Sequence, residues 1–450
     1  MAVVFSGLSR LMLRFFPVCL IGAALPASIL PALAGNPAVS HVYTADPAAR
    51  VINDHLYVVV THDQDNQQGY GQLIDYYLFS TTDMVNWQDH GIIWNSPRDT
   101  SWAKLAYAPD LIERNGKFFL YFPNGGDSIG VAVADRPEGP YRDPLGHPLV
   151  DRKTPNADVP WLFDPAVFID DDGQAYLYFG GGGPDSARVI RLNGDMISTK
   201  GEALAIDAPH FFEASYLHKS GGTYYFTYST NPQAGMTIDY LTSTNPVSGF
   251  RHQGTVLGNP WENNGNNNHQ SIVEYKGQSY ILYHNRAVAN QRGHSVFSRS
   301  INVDHLYYLG DAITRVEAGP KGVAQLENVD AYGINQAEIF AGGRNVLTHK
   351  RSPQQTVLSM QKDGWVKIAG VDFGSSATGL NVHGAGKPGS ALQIILDDIA
   401  NTPVVTLPVN GVDDMKTSIT TFPPVSGIHD VYFRAKGDVD VDWYQFVPEK

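Results

Sequence analysis

Apolar residues in this chain come in short runs rich in Tyr, Phe, Val and Ile, which are separated by Gly, Asp and Asn. No long stretch shows the 3.6-residue spacing of an amphipathic helix. Short apolar runs bounded by turn residues indicate strands. The turns RNG, DDDG and YKG supply the Asn, Asp and Gly residues that tight hairpins need for positive φ. The pattern therefore predicts an all-β protein built from hairpins.

One pattern recurs five times: a polar residue, an apolar stretch, a turn, and a strand rich in Tyr and Phe. The polar leading residues are 64, 54, 49 and 56 residues apart. A period of roughly 50 residues made only of strands and turns is typical of propeller blades. Because the innermost strand of each blade lines the central channel, five blades would bring the leading residues to equivalent positions. These residues are Asp46, Asp110, Asp164, Glu213 and His269.

The first 34 residues have the features of a secretory signal peptide. They carry Arg10 and Arg14 but no acidic residue, then the apolar run FFPVCLIGAALPASIL, then Ala-Leu-Ala before Gly35. The one cysteine, Cys19, lies inside this segment, so the mature chain can form no disulfide. We expect a secreted protein, extracellular or periplasmic, whose core is large enough to be stable without disulfides.

The formal net charge of -13 argues against nucleic acid or an anionic membrane as a partner. No second apolar run is long enough to span a bilayer, so we expect a soluble product and a monomer. The length of 450 residues suggests two domains. From residue 326 onward, short alternating strands separated by Gly, Pro and Ser turns indicate a β-sandwich. The predicted segments are a signal peptide at 1–34, a five-bladed β-propeller at 35–325 and a β-sandwich domain at 326–450.

The leading acids suggest acid and base catalysis, because no GxSxG or HExxH motif and no mature cysteine supplies another chemistry. In an inverting glycosidase one carboxylic acid protonates the leaving oxygen while a carboxylate across the sugar activates water. Glu213 follows Phe211 and Phe212, apolar neighbours that would keep it protonated, so it is the better acid. Asp46, beside Pro47 in a more polar loop, is the better base. For Asp110, a turn-forming role is the better interpretation.

The segments SHVYTADPAARV, YAPDLIERNGKFFLYFP, FDPAVFIDDDG, FFEASYLHK and NNHQSIVEYKG together resemble glycoside hydrolase family 43 over about residues 36–320. This family has five-bladed propellers that act, with inversion, on polysaccharides containing arabinose and xylose. The resemblance implies that Asp46 is the general base and Glu213 the general acid. It also implies that Asp164 orients Glu213 and tunes its pKa.

The same resemblance suggests further site residues. His269 is similar to a family histidine near a central metal ion, usually calcium, which it approaches largely through water. An arginine that contacts the sugar would suit the family, and the segment HNRAVANQRGHS offers Arg286 and Arg292, of which Arg292 is the chosen candidate. For each of them a solvated loop charge is at least as good an interpretation. Trp161, three residues before Asp164, is the tryptophan that we expect to line the pocket. No metal is needed for the chemistry itself.

The C-terminal region resembles a family 6 carbohydrate-binding module. In that family an early Glu and a late Asp bind a structural calcium, and Glu338 and Asp442 match them. Such modules usually carry a tryptophan ahead of the strand GIHDVYF, but the segment here has no aromatic residue before Phe422. Loss of a stacking ring removes contact area for sugar. Sugar binding and packing against the propeller therefore remain two interpretations of this domain.

A family 43 propeller followed by a family 6 module resembles the arrangement of arabinoxylan arabinofuranohydrolases. The resemblance favours removal of α-L-arabinofuranosyl branches from arabinoxylan. A β-xylosidase acting on xylo-oligosaccharides is the nearest alternative, because the same three acids would serve both reactions. A catalytically silent propeller that binds sugar is the alternative from a different class.

Overall fold

The computed structural model describes residues 35–65, 67–352, 355–409, 411 and 414–449. The predicted signal peptide at 1–34 lies outside the described residues. The prediction of an all-β protein is confirmed, since the described chain is mostly strands and its two α-helices, Ser96–Asp99 and Ala287–Arg292, are short. Within the described residues, no helix has the length and apolar character needed to cross a membrane.

Five antiparallel sheets form the blades of the predicted propeller. Four sheets have four consecutive strands each, and the second has three. In every sheet the strand that comes first in the sequence lies at an edge, and it is the innermost strand of its blade. The strands are β1 Tyr43–Ile52, β2 His55–Asp63, β3 Asp75–Thr81, β4 Trp87–Asn95; β5 Asp110–Arg114, β6 Lys117–Pro123, β7 Ile129–Ala134; β8 Ala166–Ile169, β9 Ala175–Phe179, β10 Arg188–Leu192, β11 Thr199–Ala205; β12 Phe211–Ser220, β13 Thr223–Thr230, β14 Ile238–Ser243, β15 Arg251–Leu257; β16 Gln270–Tyr275, β17 Gln278–Asn285, β18 Ser300–Leu309 and β19 Ala312–Thr314.

The segment before β1 joins the first blade to the fifth. The amide of Ala38 donates to the carbonyl of Ile301, and the amide of Thr44 donates to the carbonyl of Arg299, each at 2.9 Å. The hydroxyl of Thr44 in turn accepts from the Ile301 amide at 3.1 Å. These bonds close the ring of blades, so that the first residues of β1 lie beside the start of β18.

Arg50 of β1 crosses the propeller axis and joins several blades. Its Nη2 donates to Asp110 at 2.6 Å and to the carbonyl of Val167 at 3.0 Å. Its Nη1 donates to the hydroxyl of Tyr216 at 2.5 Å, and that hydroxyl donates to the carbonyl of Ile272 at 3.0 Å. All five blades therefore contribute to one buried polar cluster. Asp110, the leading residue of the second blade, belongs to this structural cluster.

The C-terminal strands pack around a core of aliphatic and aromatic side chains, as a sandwich requires. The longest strand, Gln355–Asp372, pairs with Ile428–Ala435 through its second half and with Val439–Pro448 through its first half, so it connects the two layers. The strands are β20 Val329–Asp330, β21 Asn335–Gln336, β22 Ile339–Phe340, β23 Gly342–Ser352, β24 Gln355–Asp372, β25 Ala377–Gly386, β26 Ala391–Leu396, β27 Val405–Pro408, β28 Lys416–Val425, β29 Ile428–Ala435 and β30 Val439–Pro448.

The sandwich is hydrogen-bonded to the first blade. Strand β22 pairs with the outer strand β4, where Phe340 lies opposite Trp87. The side chain of Asn86 forms two bonds with the backbone of Ala369, accepting from its amide at 2.8 Å and donating to its carbonyl at 3.1 Å. The Asn86 side chain thus satisfies the hydrogen-bonding groups of Ala369 in β24, as a neighbouring strand would. The predicted domain boundary at 325/326 lies between the last propeller strand and β20.

Candidate active site

A cavity of about 70 Å³ lies at one end of the propeller axis. Four of the five leading residues reach it, as the repeat predicts: Asp46, Asp164, Glu213 and His269. The fifth, Asp110, is bound to Arg50 instead. The other lining residues are Tyr70, Leu73, Tyr107, Ala108, Phe163, Asn267 and Arg299.

Irregular backbone at the strand starts aims the acids into the cavity. The pairing of β1 with β2 breaks between Ala45 and Ala48, and Asp46 at this bulge has a φ of 49°. Asp164 has a φ of 52°, and Ala214, next to Glu213, has a φ of 62° at a second register shift. Left-handed backbone is uncommon for residues other than glycine and is concentrated at functional sites. The pair Asp46-Pro47, inside β1, therefore forms the bulge that turns Asp46 toward the axis.

Asp46 is held as a carboxylate by Arg299. Nη1 of Arg299 donates to Oδ1 of Asp46 at 2.7 Å, while Nε and Nη2 bind the two oxygens of Asp63 at 2.8 Å each. Asp46, Asp63 and Arg299 are all buried. Burial raises the pKa of Asp46, but the charge of Arg299 and the contact with His284 outweigh it, so the pKa lies well below its usual range. Asp46 is therefore ionised at neutral pH.

Two buried histidines next to Asp46 are neutral. Burial lowers the pKa of His284 to about 4 and that of His269 to about 4. Nδ1 of His284 accepts from the Asp46 amide at 3.3 Å, which leaves Nε2–H to donate to the carbonyl of Asn267 at 3.1 Å. Nδ1 of His269 lies 3.5 Å from Asp46 and 3.8 Å from Asp164. Both rings therefore act as neutral polar contacts for the acids.

Glu213 and Asp164 form a coupled pair that keeps a proton into the neutral range. Burial, with the nearby charge of Asp46, raises the pKa of Glu213 to about 7. Burial also raises the pKa of Asp164 well above its usual range, together with the charges of Glu213 and Asp46. Oδ2 of Asp164 accepts from the amide of Ala214 at 2.8 Å. Because Ala214 directly follows Glu213, this bond holds the Asp164 carboxyl group close to Glu213. The cavity thus holds an ionised carboxylate and a protonated carboxyl group, the two components of acid and base catalysis.

Two other residues expected at the site, Trp161 and Arg292, do not line the cavity. Trp161 is 38% exposed and lies edge-on to Phe163, which lines the cavity, so its ring stands near the rim. Arg292 does not line the cavity. It ends the short helix Ala287–Arg292, donates to the carbonyl of Ser40 at 2.7 Å and lies over the ring of Tyr43. The arginine in the cavity is Arg299, seven residues further along the chain.

Sequence reasoning missed Arg299, Asn267 and Tyr70. Arg299 stands directly before β18 in the segment SRSI, and its acidic partner Asp63 is distant in sequence. Asn267 lies two residues before His269 in an asparagine-rich loop, and this closeness to a leading residue is the one signal that could have identified it. Nothing in the sequence around Tyr70 marks it as a cavity residue.

Glu338, predicted to bind calcium with Asp442, lies in the C-terminal domain and is buried. Its Oε2 has no hydrogen-bond partner among the described residues, and burial raises its pKa to about 7, with a further contribution from Asp442. The carbonyl of Asp442 accepts from the amide of Ala337, which brings the two predicted residues together. Within the described ranges, no group of three or more His, Cys, Asp or Glu side chains is arranged to hold a metal.

Comparisons with known proteins agree with both parts of the fold. The profile of glycosyl hydrolases family 43 matches residues 34–312, and that of carbohydrate binding module family 6 matches residues 336–448. An arabinoxylan arabinofuranohydrolase of Paenibacillus polymyxa is 36% identical over 97% of this chain and 78% of its own. Another arabinoxylan arabinofuranohydrolase, from Bacillus subtilis, is 34% identical over 91% of this chain and 92% of its own. The crystal structure of a family 43 arabinoxylan arabinofuranohydrolase from Bacillus subtilis with cellotetraose superimposes with a TM-score of 0.85, at 34% identity, over 92% of this chain and 97% of that one.

Proposed function

The chain belongs to glycosyl hydrolase family 43, a family of inverting enzymes, and from this premise we propose that it removes α-L-arabinofuranosyl side chains from arabinoxylan. The observation that carries the proposal is that one small cavity is lined by Asp46, which Arg299 keeps ionised, and by Glu213, whose pKa is raised to about 7. A volume of about 70 Å³ admits several water molecules, which suits a single sugar ring rather than a polysaccharide strand. That scale favours attack at a terminal unit.

In the proposed reaction, Glu213 gives its proton to the glycosidic oxygen as the bond to the sugar breaks. Asp46 takes a proton from a water molecule, whose oxygen attacks the anomeric carbon from the opposite face. Asp164 positions Glu213 and disfavours its ionisation. One bond to oxygen forms as the other breaks, and the proton taken up by Asp46 balances the one that Glu213 gives, so both groups reset through solvent.

The choice of arabinose rests on relatives that match both domains. The two relatives named arabinoxylan arabinofuranohydrolase align with over nine-tenths of this chain, including the C-terminal domain. We propose that this domain also binds carbohydrate. We further propose that the exposed ring of Trp161 contacts the sugar chain at the cavity rim.

Chromatography of the monosaccharides released by the enzyme tests this function. We expect arabinose from arabinoxylan and no sugar from linear xylo-oligosaccharides. Xylose from the xylo-oligosaccharides would replace the proposal with a β-xylosidase that uses the same acids. No sugar from either substrate would favour a silent sugar-binding propeller.

We also propose a structural calcium ion in the C-terminal domain, held in part by Glu338 and Asp442. A buried carboxylate oxygen without a partner fits a hard cation that prefers oxygen ligands. With no third acidic or histidine ligand in the described ranges, backbone or amide oxygens would complete the set. His269 fits calcium less well, because it offers nitrogen and already contacts two carboxyl groups. The proposed hydrolysis needs no metal.

Finally, we propose that the protein is exported and acts outside the cytoplasm as a monomer. The leader pattern at 1–34 supports export, and the formal net charge of -13 supports a monomer. N-terminal sequencing of the secreted protein would test it, with Gly35 as the expected first residue. A first residue within 1–34 would contradict the proposed cleavage site.

A further inference from the structure

Arg286 is a fully buried arginine without an acidic partner. It is 0% exposed, and no carboxylate of the described residues lies within 4.0 Å of its guanidinium. The other buried arginine of the propeller, Arg299, is paired with aspartate, and so is the partly buried Arg50. Burial lowers the pKa of Arg286, but an arginine stays charged in a protein. A buried charge that forms no ion pair is costly, so its location needs a reason.

The donors of Arg286 bind the loop that carries Asn267. Nη2 donates to the side-chain oxygen of Asn267 at 2.6 Å, and Nη1 donates to its backbone carbonyl at 3.1 Å and to the side chain of Asn263. Nε donates to the carbonyl of Val296 at 2.9 Å. The hydroxyl of Tyr70 also donates to the Asn267 side-chain oxygen, at 3.1 Å. Asn267 is therefore held at both of its oxygens.

These contacts determine which way the Asn267 amide points. A guanidinium has donors only, so the atom that faces Arg286 must be the amide oxygen. The amide nitrogen then faces away from Arg286, and Asn267 lines the same cavity as Glu213. The nearby Asn267 side chain lowers the pKa of Glu213, and the charges of Arg299 and Arg286 lower it as well. They oppose the effects of burial and of Asp46.

We propose that Arg286 is a positioning residue, which holds the Asn267 amide nitrogen toward Glu213 and places an unshared positive charge behind it. Arg286 thus acts on Glu213 through Asn267 and does not touch the substrate. This proposal rests on the proposed role of Glu213 as the general acid. The acid needs a proton to give and must also release it readily, and the Arg286–Asn267 pair limits how firmly Glu213 keeps it. The titratable and charged groups that face Glu213 from the surrounding elements are Asp46, Asp164, Tyr70, Tyr107, His269, Arg286 and Arg299.

The pH dependence of kcat/KM on arabinoxylan oligosaccharides tests the proposal. The activity falls at high pH as Glu213 loses its proton, so a higher pKa moves this basic limb upward. We expect Arg286→Met and Asn267→Ala each to shift the limb upward by about one pH unit. Arg286→Gln keeps a donor for Asn267 but no charge, and should shift the limb by about half as much. Arg188→Met is the matched control, because Arg188 also donates to backbone carbonyls and should leave the limb in place.

A purely structural role for Arg286 predicts a different result, a lower kcat at every pH with an unshifted limb, and that result would overturn the proposal. If Arg286→Met does not fold, Asn267→Ala decides alone, and an unmoved limb in that variant rejects the proposal. Glu213→Ala separates the two levels of the argument. If that variant keeps the wild-type basic limb, Glu213 is not the acid and the proposed function fails. If the Glu213 variant changes the basic limb but the variants at Arg286 and Asn267 leave it unmoved, only the positioning role fails.

Discussion

Arg299 donates a 2.7 Å hydrogen bond to Asp46, while the rest of its guanidinium is held by Asp63. Because a bidentate contact fixes the plane of the guanidinium, Arg299 can present one nitrogen to Asp46 in a constant direction. This relationship keeps Asp46 ionised without using its second oxygen. The free oxygen can then accept the proton of an attacking water.

Replacing Arg299 should change the acidic limb of the pH profile. Arg299→Lys keeps a charge but loses the bidentate contact, so the pKa of Asp46 should rise toward its usual range. Because the base must be ionised, the acidic limb of kcat/KM should move to higher pH while the basic limb stays in place. Initial rates from pH 3 to pH 9 would measure both limbs. An unmoved acidic limb would show that Asp46 does not depend on Arg299.

Glu213→Ala should separate substrates by their need for a proton. We expect activity on arabinoxylan to fall by about 10²- to 10⁴-fold, since general acid catalysis is lost. A dinitrophenyl arabinofuranoside has a leaving group that needs no proton and should lose far less. Circular dichroism should show an unchanged fold. Equal losses on the two substrates would mean that Glu213 has another role.

Glu213 should also affect stability with a defined sign. Its folded pKa of about 7 lies above its ordinary value of 4.5, so the folded protein binds a proton that the unfolded chain has released. The contribution is fully present below pH 4.5 and is lost as the pH rises through about 7. Glu213→Gln removes the ionisation, so at pH 8 it should be more stable than the wild type by about 3 kcal/mol. At pH 4 the two should unfold alike in urea, and a pH-independent difference would contradict the prediction.

Arg50 should be essential for the stability of the propeller. Arg50→Met leaves Asp110 buried without its cation, a loss of about 3 to 5 kcal/mol. The double variant with Asp110→Asn should recover part of that loss, because no buried charge is then unpaired. Chemical denaturation of both variants measures the difference. A loss below about 1 kcal/mol for Arg50→Met would show that the axial cluster does not stabilise the ring of blades.

Calcium should stabilise the C-terminal domain through Glu338. Adding calcium to chelator-treated protein should raise Tm, because a ligand that binds only the folded state stabilises it. Glu338→Gln should abolish the response, while Glu327→Gln, an exposed glutamate paired with Lys276, should retain it. The same increase in Tm in the Glu338 variant would place the ion elsewhere.

The repeat in the sequence predicted much of the site, for a physical reason. Equivalent positions on inner strands converge at a propeller axis, so the period alone grouped Asp46, Asp164, Glu213 and His269. It could not separate Asp110 from them, because that depends on Arg50 reaching across the axis from another blade. These long-range contacts leave no periodic trace in the sequence.

The arginines and the domain contact were harder to predict for the same reason. Arg292 ends the short helix Ala287–Arg292 and Arg299 lies seven residues later, directly before β18, and only the fold shows that Asp63 selects Arg299. Similarly, β22 pairs with β4, which is distant in sequence. Nothing in the sequence of either strand indicates that the two should pair. Local sequence patterns predict a site residue when the same position recurs in each blade. They fail when a contact with a side chain from a distant segment determines the role of the residue.

The central claim is that Asp46 activates water directly while Glu213 protonates the leaving oxygen. Proton NMR of the first arabinose released from an α-linked substrate tests it most directly, before mutarotation mixes the anomers. The mechanism predicts the β-anomer first, since one displacement inverts the anomeric carbon. If the α-anomer forms first, Asp46 attacks the sugar as a nucleophile and the proposed mechanism is wrong.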